Sequence, residues 1–436
     1  MVTGPVPLPV DRTDPLRRSD DPPAGVDVDG GRLLSRLDEM AAISATPGPA
    51  VTRVAWSPEW RAAAEVLHDW GPRVGARCWM DPVGNVIAEY PGSDSRLPPL
   101  VTGSHLDTVP GGGHLDGTYG VVAAWEVLAS LAAAGRVLRH PVRAVAFVNE
   151  EGVVAPPYTG SRAVAGLLES DELDQQPSAA GSRSLRALLE SAGCQPAALD
   201  RARWTQPVAA FVELHVEQGP VLDQGGVSIG VVAAVTGQQR GRVRIRGQAN
   251  HAGTTPISMR HDALVAAAEV VLAVRAVSGP GGCDVSTVGR LDVSPNVANV
   301  VPGEVDMTFD LRSTDPRRLS AALSDLVRRA EQIGAARRVE VTVDPLPPTA
   351  PVPADPLVRE AVRRAATSHG LPTLSLASGA GHDCALVAGL GPVGMIFVPS
   401  TGGISHHCSE STPPRDLLGG ARVLLSTLVD LDRTLP

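Results

Sequence analysis

At 436 residues, 43% of them hydrophobic and 19% charged, the chain is long enough for two globular domains and too mixed for a fibrous or coiled-coil protein. A formal net charge of −9 argues against a nucleic-acid partner, no apolar run reaches membrane-spanning length, and no basic segment followed by an apolar stretch marks the start for secretion. The five cysteines, Cys78, Cys194, Cys283, Cys384 and Cys408, contain no CxxC pair, so inert thiols in a reducing, cytoplasmic setting are expected rather than a disulfide framework.

In chain order, residues 1–31 are rich in Pro, Asp and Gly and read as a flexible tail. A helix follows over Arg32–Met40 and another over Pro58–Trp70, with Ser57 as its N-cap. D-P-V-G-N before V-I-A-E-Y reads as a turn entering a strand that ends at Tyr90. The apolar stretch Leu97–Val101 leads into T-G-S-H-L-D-T-V-P-G-G-G-H-L-D-G-T-Y-G, and Val121–Ala134 is helical. Val142–Val148 is a valine-rich run of the kind buried on both faces of a parallel sheet, and it ends in Asn149-Glu150-Glu151-Gly152. A helix over 182–192, a strand over Phe211–Val216 carrying His215, and a hairpin around Asp223–Gly226 complete this part. The pattern is α/β, and its polar strand ends predict a site at the carboxyl edge of the sheet.

The next hundred residues change character. Arg240–Gly247 is a strand of alternating charged and apolar residues. After it come helix Arg260–Ala276, strands Val285–Leu291 and Glu304–Leu311, helix Pro316–Ala330 and strand Val339–Val343. That order is the ferredoxin-like βαββαβ unit. Proline-rich 345–356 returns the chain to helix Leu357–Ser368, strands Leu374–Leu376 and Val393–Val398, and helix Pro414–Leu431. The expected organisation is a catalytic α/β domain with a mixed sheet, residues 32–236 and 346–436, interrupted by an inserted lid and dimerisation domain, residues 237–345.

Chemistry concentrates at the strand ends. His105 and Asp116 stand eleven positions apart across a Gly- and Pro-filled stretch that no helix can span, so only a loop can bring them together. With Glu151, His215 and His406 they supply the imidazole and carboxylate groups that a two-metal site needs, and Asp116 can offer one oxygen to each ion. Mixed nitrogen and oxygen donors favour Zn²⁺, Mn²⁺, Co²⁺ or Ni²⁺ over Ca²⁺. Glu150, beside a ligating Glu151, is free to act as a general base on water. Asp107 is placed to accept a hydrogen bond from the second ring nitrogen of His105, or to steady the loop. Each residue alone also has a bland reading as a core histidine, a solvated turn or a loop cap, and the case rests on their convergence.

The motifs G-S-H-L-D-T-V-P-G-G-G-H-L-D-G, N-E-E-G, L-H-V-E-Q-G-P-V-L, G-Q-A-N-H-A-G-T-T-P, P-N-V-A-N-V-V-P-G-E-V, D-L-R and G-I-S-H-H-C-S-E together resemble the M20 metallopeptidase superfamily. More narrowly, they resemble its amidohydrolase branch of N-carbamoyl-L-amino acid, allantoate and ureidoglycolate hydrolases, over roughly residues 32–432. The resemblance implies one ion on His105, Asp116 and His215 and a second on Asp116, Glu151 and His406, with Glu150 as catalytic base. It implies that Gln218 faces the substrate, that Gly381 and His382 contact the substrate or support the ligands from behind, and that Asn299 and Arg312 hold the substrate's carboxylate. His251 would reach the other subunit's site in a homodimer and stabilise the oxyanion, and closure of the inserted domain would exclude water.

The chain departs from the pattern in three places, one of them Leu115, where H-L-D-G stands for the frequent aromatic-D-G as a packing change. His407-Cys408 replaces the commoner Ser-Pro after the ligand, which leaves His407 as a rival to His406. Val153–Pro157 follows the Glu pair where the family carries a Ser-Arg-Phe type sequence. The implied reaction is hydrolysis of an N-carbamoyl-L-amino acid to the amino acid, CO₂ and ammonia. Allantoate or ureidoglycolate are the alternative substrates. An aminoacylase or dipeptidase is disfavoured by H-V-E-Q-G with H-A-G-T-T-P, and a silent metal-binding dimer by the intact Glu150.

Overall fold

A computed structural model of the chain describes residues 25–175 and 183–436. Two compact units emerge. One runs up to Ala233 and resumes at Ala354–Leu376 and His382–Pro436, and the other comprises Ala234–Pro353 and Ala377–Gly381. Each has its own apolar cluster, one around Trp60, Trp125, Val212 and Ile396 and one around Ile245, Val270, Phe309 and Leu326.

The first unit is built on a twisted mixed sheet. From one edge its strands run Arg77–Met80, Val86–Tyr90, Val142–Phe147, Leu100–His105, Ala210–Val216, Val393–Val398 and Ile229–Val235. The four central strands are mutually parallel, with His105 beside Phe147 and His215 beside Phe397. Every residue of Leu100–His105, Ala210–Val216 and Val393–Val398 is buried, because helices cover both faces of a parallel sheet. Parallel alignment brings the carboxyl ends of these strands to one edge, which collects the residues that follow each strand.

Helix Thr118–Ala133 packs on strand Leu100–His105 and is buried on almost every side. Its one buried acid, Glu126, accepts two bonds of 2.7 Å from the Arg32 guanidinium. That contact belongs to the first helix, which runs Gly30–Ala42 from an Asp29 cap, with Val28 buried before it. The flexible tail expected over 1–31 therefore does not reach that far, because the Asp29 cap and the Glu126 anchor fix its end. Residues 1–24 of that expectation lie outside the described residues.

The helix expected over 182–192 is Leu185–Ser191, with residue 182 outside the described residues. No hairpin forms at Asp223–Gly226. The segment Val221–Gly225 is a short helix whose first N–H groups, on Val221 and Leu222, are held by the Glu217 carboxylate, and it ends on left-handed Gly226.

In the second unit four strands pair antiparallel in the order Glu340–Pro345, Gly237–Arg246, Glu304–Ser313, Val285–Ser294. Gly237–Arg246 and Glu304–Ser313 alternate strictly between inward and outward residues, as a sheet with one covered face requires. Helices Ala263–Ala276 and Pro316–Arg337 cover the inward face. The proline-rich return is more ordered than a linker: Val352–Pro353 pairs with Val235 and Ala234, and Thr349 bridges to Gln238.

Candidate metal centre

The strand ends deliver their side chains to one place. His105 closes the strand Leu100–His105, Asn149-Glu150-Glu151 follow Val142–Phe147, His215 lies one residue from the end of its strand, and His406 sits in the loop after Val393–Val398. Asp116 arrives on the glycine loop, one residue before Gly117 opens the buried helix. Gly117 has φ +62°, and a Cβ there would overlap the His105 ring, so glycine is required both for the turn and for the approach. Asn149, Gln218 and His406 all hold positive φ without being glycine. Strained backbone of this sort concentrates where side chains must be aimed.

Asp116 is the centre of the constellation. Its Oδ1 lies 3.4 Å from His105 Nε2 and 3.2 Å from His215 Nε2, and its Oδ2 lies 3.0 Å from His406 Nε2. Glu151 Oε1 is 3.6 Å from His406 Nε2. Two groups thus share Asp116, His105–Asp116–His215 and Asp116–Glu151–His406, each with donor atoms within 4.8 Å of one another, and His105–Glu150–Glu151 forms a third. His406 rather than His407 stands in this cluster. His407 is exposed, its Nδ1 accepting from the Ser409 N–H.

The donor set fits a divalent cation. His105 Nδ1 faces the Asp107 carbonyl at 2.9 Å and His215 Nδ1 the Val216 carbonyl at 2.8 Å. A carbonyl only accepts, so Nδ1 carries a proton, and in the neutral form that binds a cation each ring presents its Nε2 lone pair to the carboxylate. The Gly117 N–H donates to His215 Nε2 at 3.1 Å, which also calls for a lone pair there. Asp116 Oδ1 and Glu151 Oε1 are buried without a hydrogen-bond partner. Lone pairs converging on orphaned carboxylate oxygens are what a bound cation satisfies.

The charges report the same crowding. Burial pushes the Glu151 carboxyl up to about 7, and the Asp116 hydrogen bond holds the His406 imidazole up at about 9. Burial works to raise Asp116, yet the imidazoles of His105, His215 and His406 around its two oxygens keep it well below the usual range. Glu150 goes the other way: burial first, and then the neighbouring Asp383, Glu151 and Asp107, push it well above an ordinary carboxyl against the pull of His105.

Asp107 does its work through two parts. Its carbonyl, not its carboxylate, orients His105. The carboxylate accepts instead from the Glu150 and Glu151 N–H groups, at 3.2 and 3.3 Å. Gln218 lies against the centre, its amide nitrogen 2.9 Å from Asp116 Oδ2 and 3.4 Å from His406 Nε2. His382 is buried edge-on against His215, ring centres 4.8 Å apart, and Gly381 precedes it, half-buried.

Two supports escape sequence reasoning. Buried Glu410 accepts from the Leu115 and Asp116 N–H groups at 2.9 and 3.0 Å and from Ser405 Oγ at 2.8 Å, fixing the loop that presents Asp116. Its residue stood in the S-H-H-C-S-E string without a role. Glu213, fully buried, accepts from Ser104 Oγ and the Cys384 N–H and so ties adjacent strands to helix Asp383–Val387. A glutamate inside an apolar strand was the available signal.

The remaining candidates belong to the second unit. His251 is exposed and pairs with Val300. Its Nδ1 accepts from the Gly253 and Thr254 N–H groups at 3.0 and 3.2 Å, which leaves the proton on Nε2. Asn299 is exposed, and its carbonyl accepts from the N–H of Ala252, the residue after His251. Arg312 bonds Asp310 through Nε and Nη2 at 3.0 and 2.9 Å.

Residues 101–430 match the model of peptidase family M20/M25/M40. An N-carbamoyl-L-amino-acid amidohydrolase of Paenarthrobacter aurescens is 39% identical over 405 residues, spanning 92% of this chain and 98% of that protein. An allantoate amidohydrolase of Bacillus subtilis (strain 168) is 33% identical over 402 residues, spanning 92% and 97%. Among solved structures, an amidase of the hydantoinase/carbamoylase family from Burkholderia multivorans superposes with a TM-score of 0.88 at 35% identity, covering 94% of this chain and all of that one. With its strand-end imidazoles and carboxylates gathered around Asp116 and the match running through nearly the whole chain, the protein belongs to peptidase family M20/M25/M40, on its amidohydrolase branch.

Proposed function

We propose that the protein hydrolyses the ureido C–N bond of an N-carbamoyl-L-amino acid, giving the L-amino acid, CO₂ and ammonia. The observation that carries this is Glu150: a buried carboxylate grouped with His105 and Glu151 but outside both groups that share Asp116, and so free for proton transfer. Two divalent ions, of the Zn, Mn, Co or Ni kind, are assigned to His105, Asp116 and His215 and to Asp116, Glu151 and His406. When bound, they supply Lewis acidity that acidifies water and polarises a carbonyl.

Glu150 takes the proton from the attacking water and returns it to the leaving nitrogen. Asp107 holds the Glu150-Glu151 backbone while this happens. His251, with its proton on Nε2, is equipped to donate to the developing oxyanion, and we assign that donation to the site of a second copy in a homodimer. Arg312 and Asn299 hold the substrate carboxylate, Gln218, Gly381 and His382 line the pocket, and the second unit serves as a ferredoxin-like lid. Five free cysteines suit a reducing compartment, the cytoplasm.

Allantoate, which also joins a carboxylate to ureido groups, is the second reading, favoured by the Bacillus subtilis relative. A panel of N-carbamoyl-L-amino acids, allantoate and ureidoglycolate, assayed for ammonia release after reconstitution with each metal, separates them. Fastest turnover is expected on an N-carbamoyl-L-amino acid. Turnover of allantoate alone transfers the assignment, and turnover of dipeptides alone overturns both.

A further inference from the structure

Arg312 is not a loose cation. It stands on the outward face of strand Glu304–Ser313, two residues after Asp310 and opposite Gln238. Its guanidinium has five N–H groups. Nε donates to Asp310 Oδ1 at 3.0 Å, Nη2 to Asp310 Oδ2 at 2.9 Å, and Nη1 to the Gly379 carbonyl at 2.5 Å. One N–H on Nη1 and one on Nη2 remain, the number that the two oxygens of a carboxylate take.

The outward face carries other arginine–carboxylate pairs, and most are ordinary solvated ladder contacts worth little in stability. Arg240, Arg244, Arg246 and Arg290 keep 45–68% of their side chains exposed. Arg312 keeps 26% and Asp310 23%. Among these pairs Arg312 alone also reaches a loop carbonyl, and it borders a cavity of about 600 Å³ with Val285, Phe309 and Leu346. Asp310 is itself braced from behind by Arg240 Nε at 2.9 Å. An arginine gripped along its side by one carboxylate loses rotamer freedom before a ligand arrives, so less is lost on binding.

We infer that Asp310 is a positioning residue for substrate recognition: braced by Arg240, it locks the Arg312 guanidinium so that its free N–H pair is presented to the carboxylate of the substrate. Asp310 acts through Arg312, and its role rests on the assignment of Arg312 as the carboxylate clamp. The fork then reads a planar carboxylate and discriminates against the corresponding amide, which brings its own N–H groups to a site made of donors.

Steady-state kinetics on the metal-reconstituted enzyme test this, using the N-carbamoyl-L-amino acid turned over fastest and its α-carboxamide, with Asp310→Asn, Asp310→Glu and Arg312→Ala. Asp310→Asn is expected to raise KM for the carboxylate substrate about tenfold with kcat within about twofold, leave the carboxamide unchanged, and be partly rescued by Asp310→Glu. If Arg312→Ala abolishes discrimination between the two substrates while Asp310→Asn leaves it intact, the clamp stands and the positioning role falls. If neither variant alters discrimination, both fall. Equal losses of kcat on both substrates in Asp310→Asn mark a purely structural residue and overturn the inference.

Discussion

Glu150 and Asp116 are both buried carboxylates grouped with His105, yet their surroundings shift them in opposite directions. The three imidazoles around Asp116 hold it ionised, whereas burial among other acids lifts Glu150 toward the protonated state. Groups separated in this way take different parts, one as anchor and one as proton carrier. Replacing Glu150 by Gln keeps the shape and removes the proton acceptor. Metal content by mass spectrometry should stay at the wild-type level while kcat falls about a thousandfold. Asp116→Asn keeps the shape and removes the charge and one acceptor oxygen, so metal content itself should fall at both positions. Loss of metal in Glu150→Gln, or full metal in Asp116→Asn, would reverse the two roles. The residues that orient these groups do so largely through main-chain atoms: the carbonyls of Asp107 and Val216 fix two imidazoles, and the N–H groups of Leu115 and Asp116 are held by Glu410.

At the scale of elements, the glycine loop is clamped by a buried cation. Arg53 is fully enclosed and donates to the carbonyls of Met40 and Leu106 at 2.7 and 2.8 Å and to Thr118 Oγ at 2.6 Å, stitching the first helix, the segment after His105 and the start of the buried helix. Burial depresses its pKa to about 10, so it stays charged at neutral pH. Truncating it leaves buried acceptors unmatched, at about 1–3 kcal/mol each. Arg53→Ala should therefore lower the unfolding free energy in denaturant by about 3 kcal/mol or more and weaken metal retention; a change under about 1 kcal/mol would deny it this role. Nothing in the sequence pointed to Arg53, because its partners are carbonyls set by tertiary packing. The strands were legible, since continuous apolar runs and strict alternation follow from which faces are covered. So were the residues that gather around Asp116, because each follows a recognisable strand or stands in a glycine-rich or acidic motif. The hairpin expected at Asp223–Gly226 failed because Gly-Gly marks a turn without saying what precedes it, and here Glu217 caps a helix instead. The end of the expected tail failed similarly, since the contact of Arg32 with Glu126 links residues 94 positions apart.

For the molecule as a whole, the assignment of His251 to a second copy's site makes a sharp prediction. It lies on the second unit, exposed, with Nε2–H free to donate. The same unit exposes large apolar side chains: Ile257 is 84% exposed, Met259 67% and Leu272 66%, the last on helix Ala263–Ala276. Large apolar side chains left exposed favour a partner, and an identical copy would close the assembly with two-fold symmetry. Light scattering should then give twice the 45.1 kDa chain mass. The decisive measurement is complementation. His251→Ala and Glu150→Gln each should be inactive alone. In a mixed dimer, the His251→Ala copy still supplies an intact Glu150 and metal centre, and the Glu150→Gln copy supplies the histidine, so one of its two sites is whole. Random exchange makes half of the dimers mixed, and activity should recover to about one quarter of wild type. If His251 served its own chain, no mixture would contain a complete site and activity would stay at the level of the inactive parents.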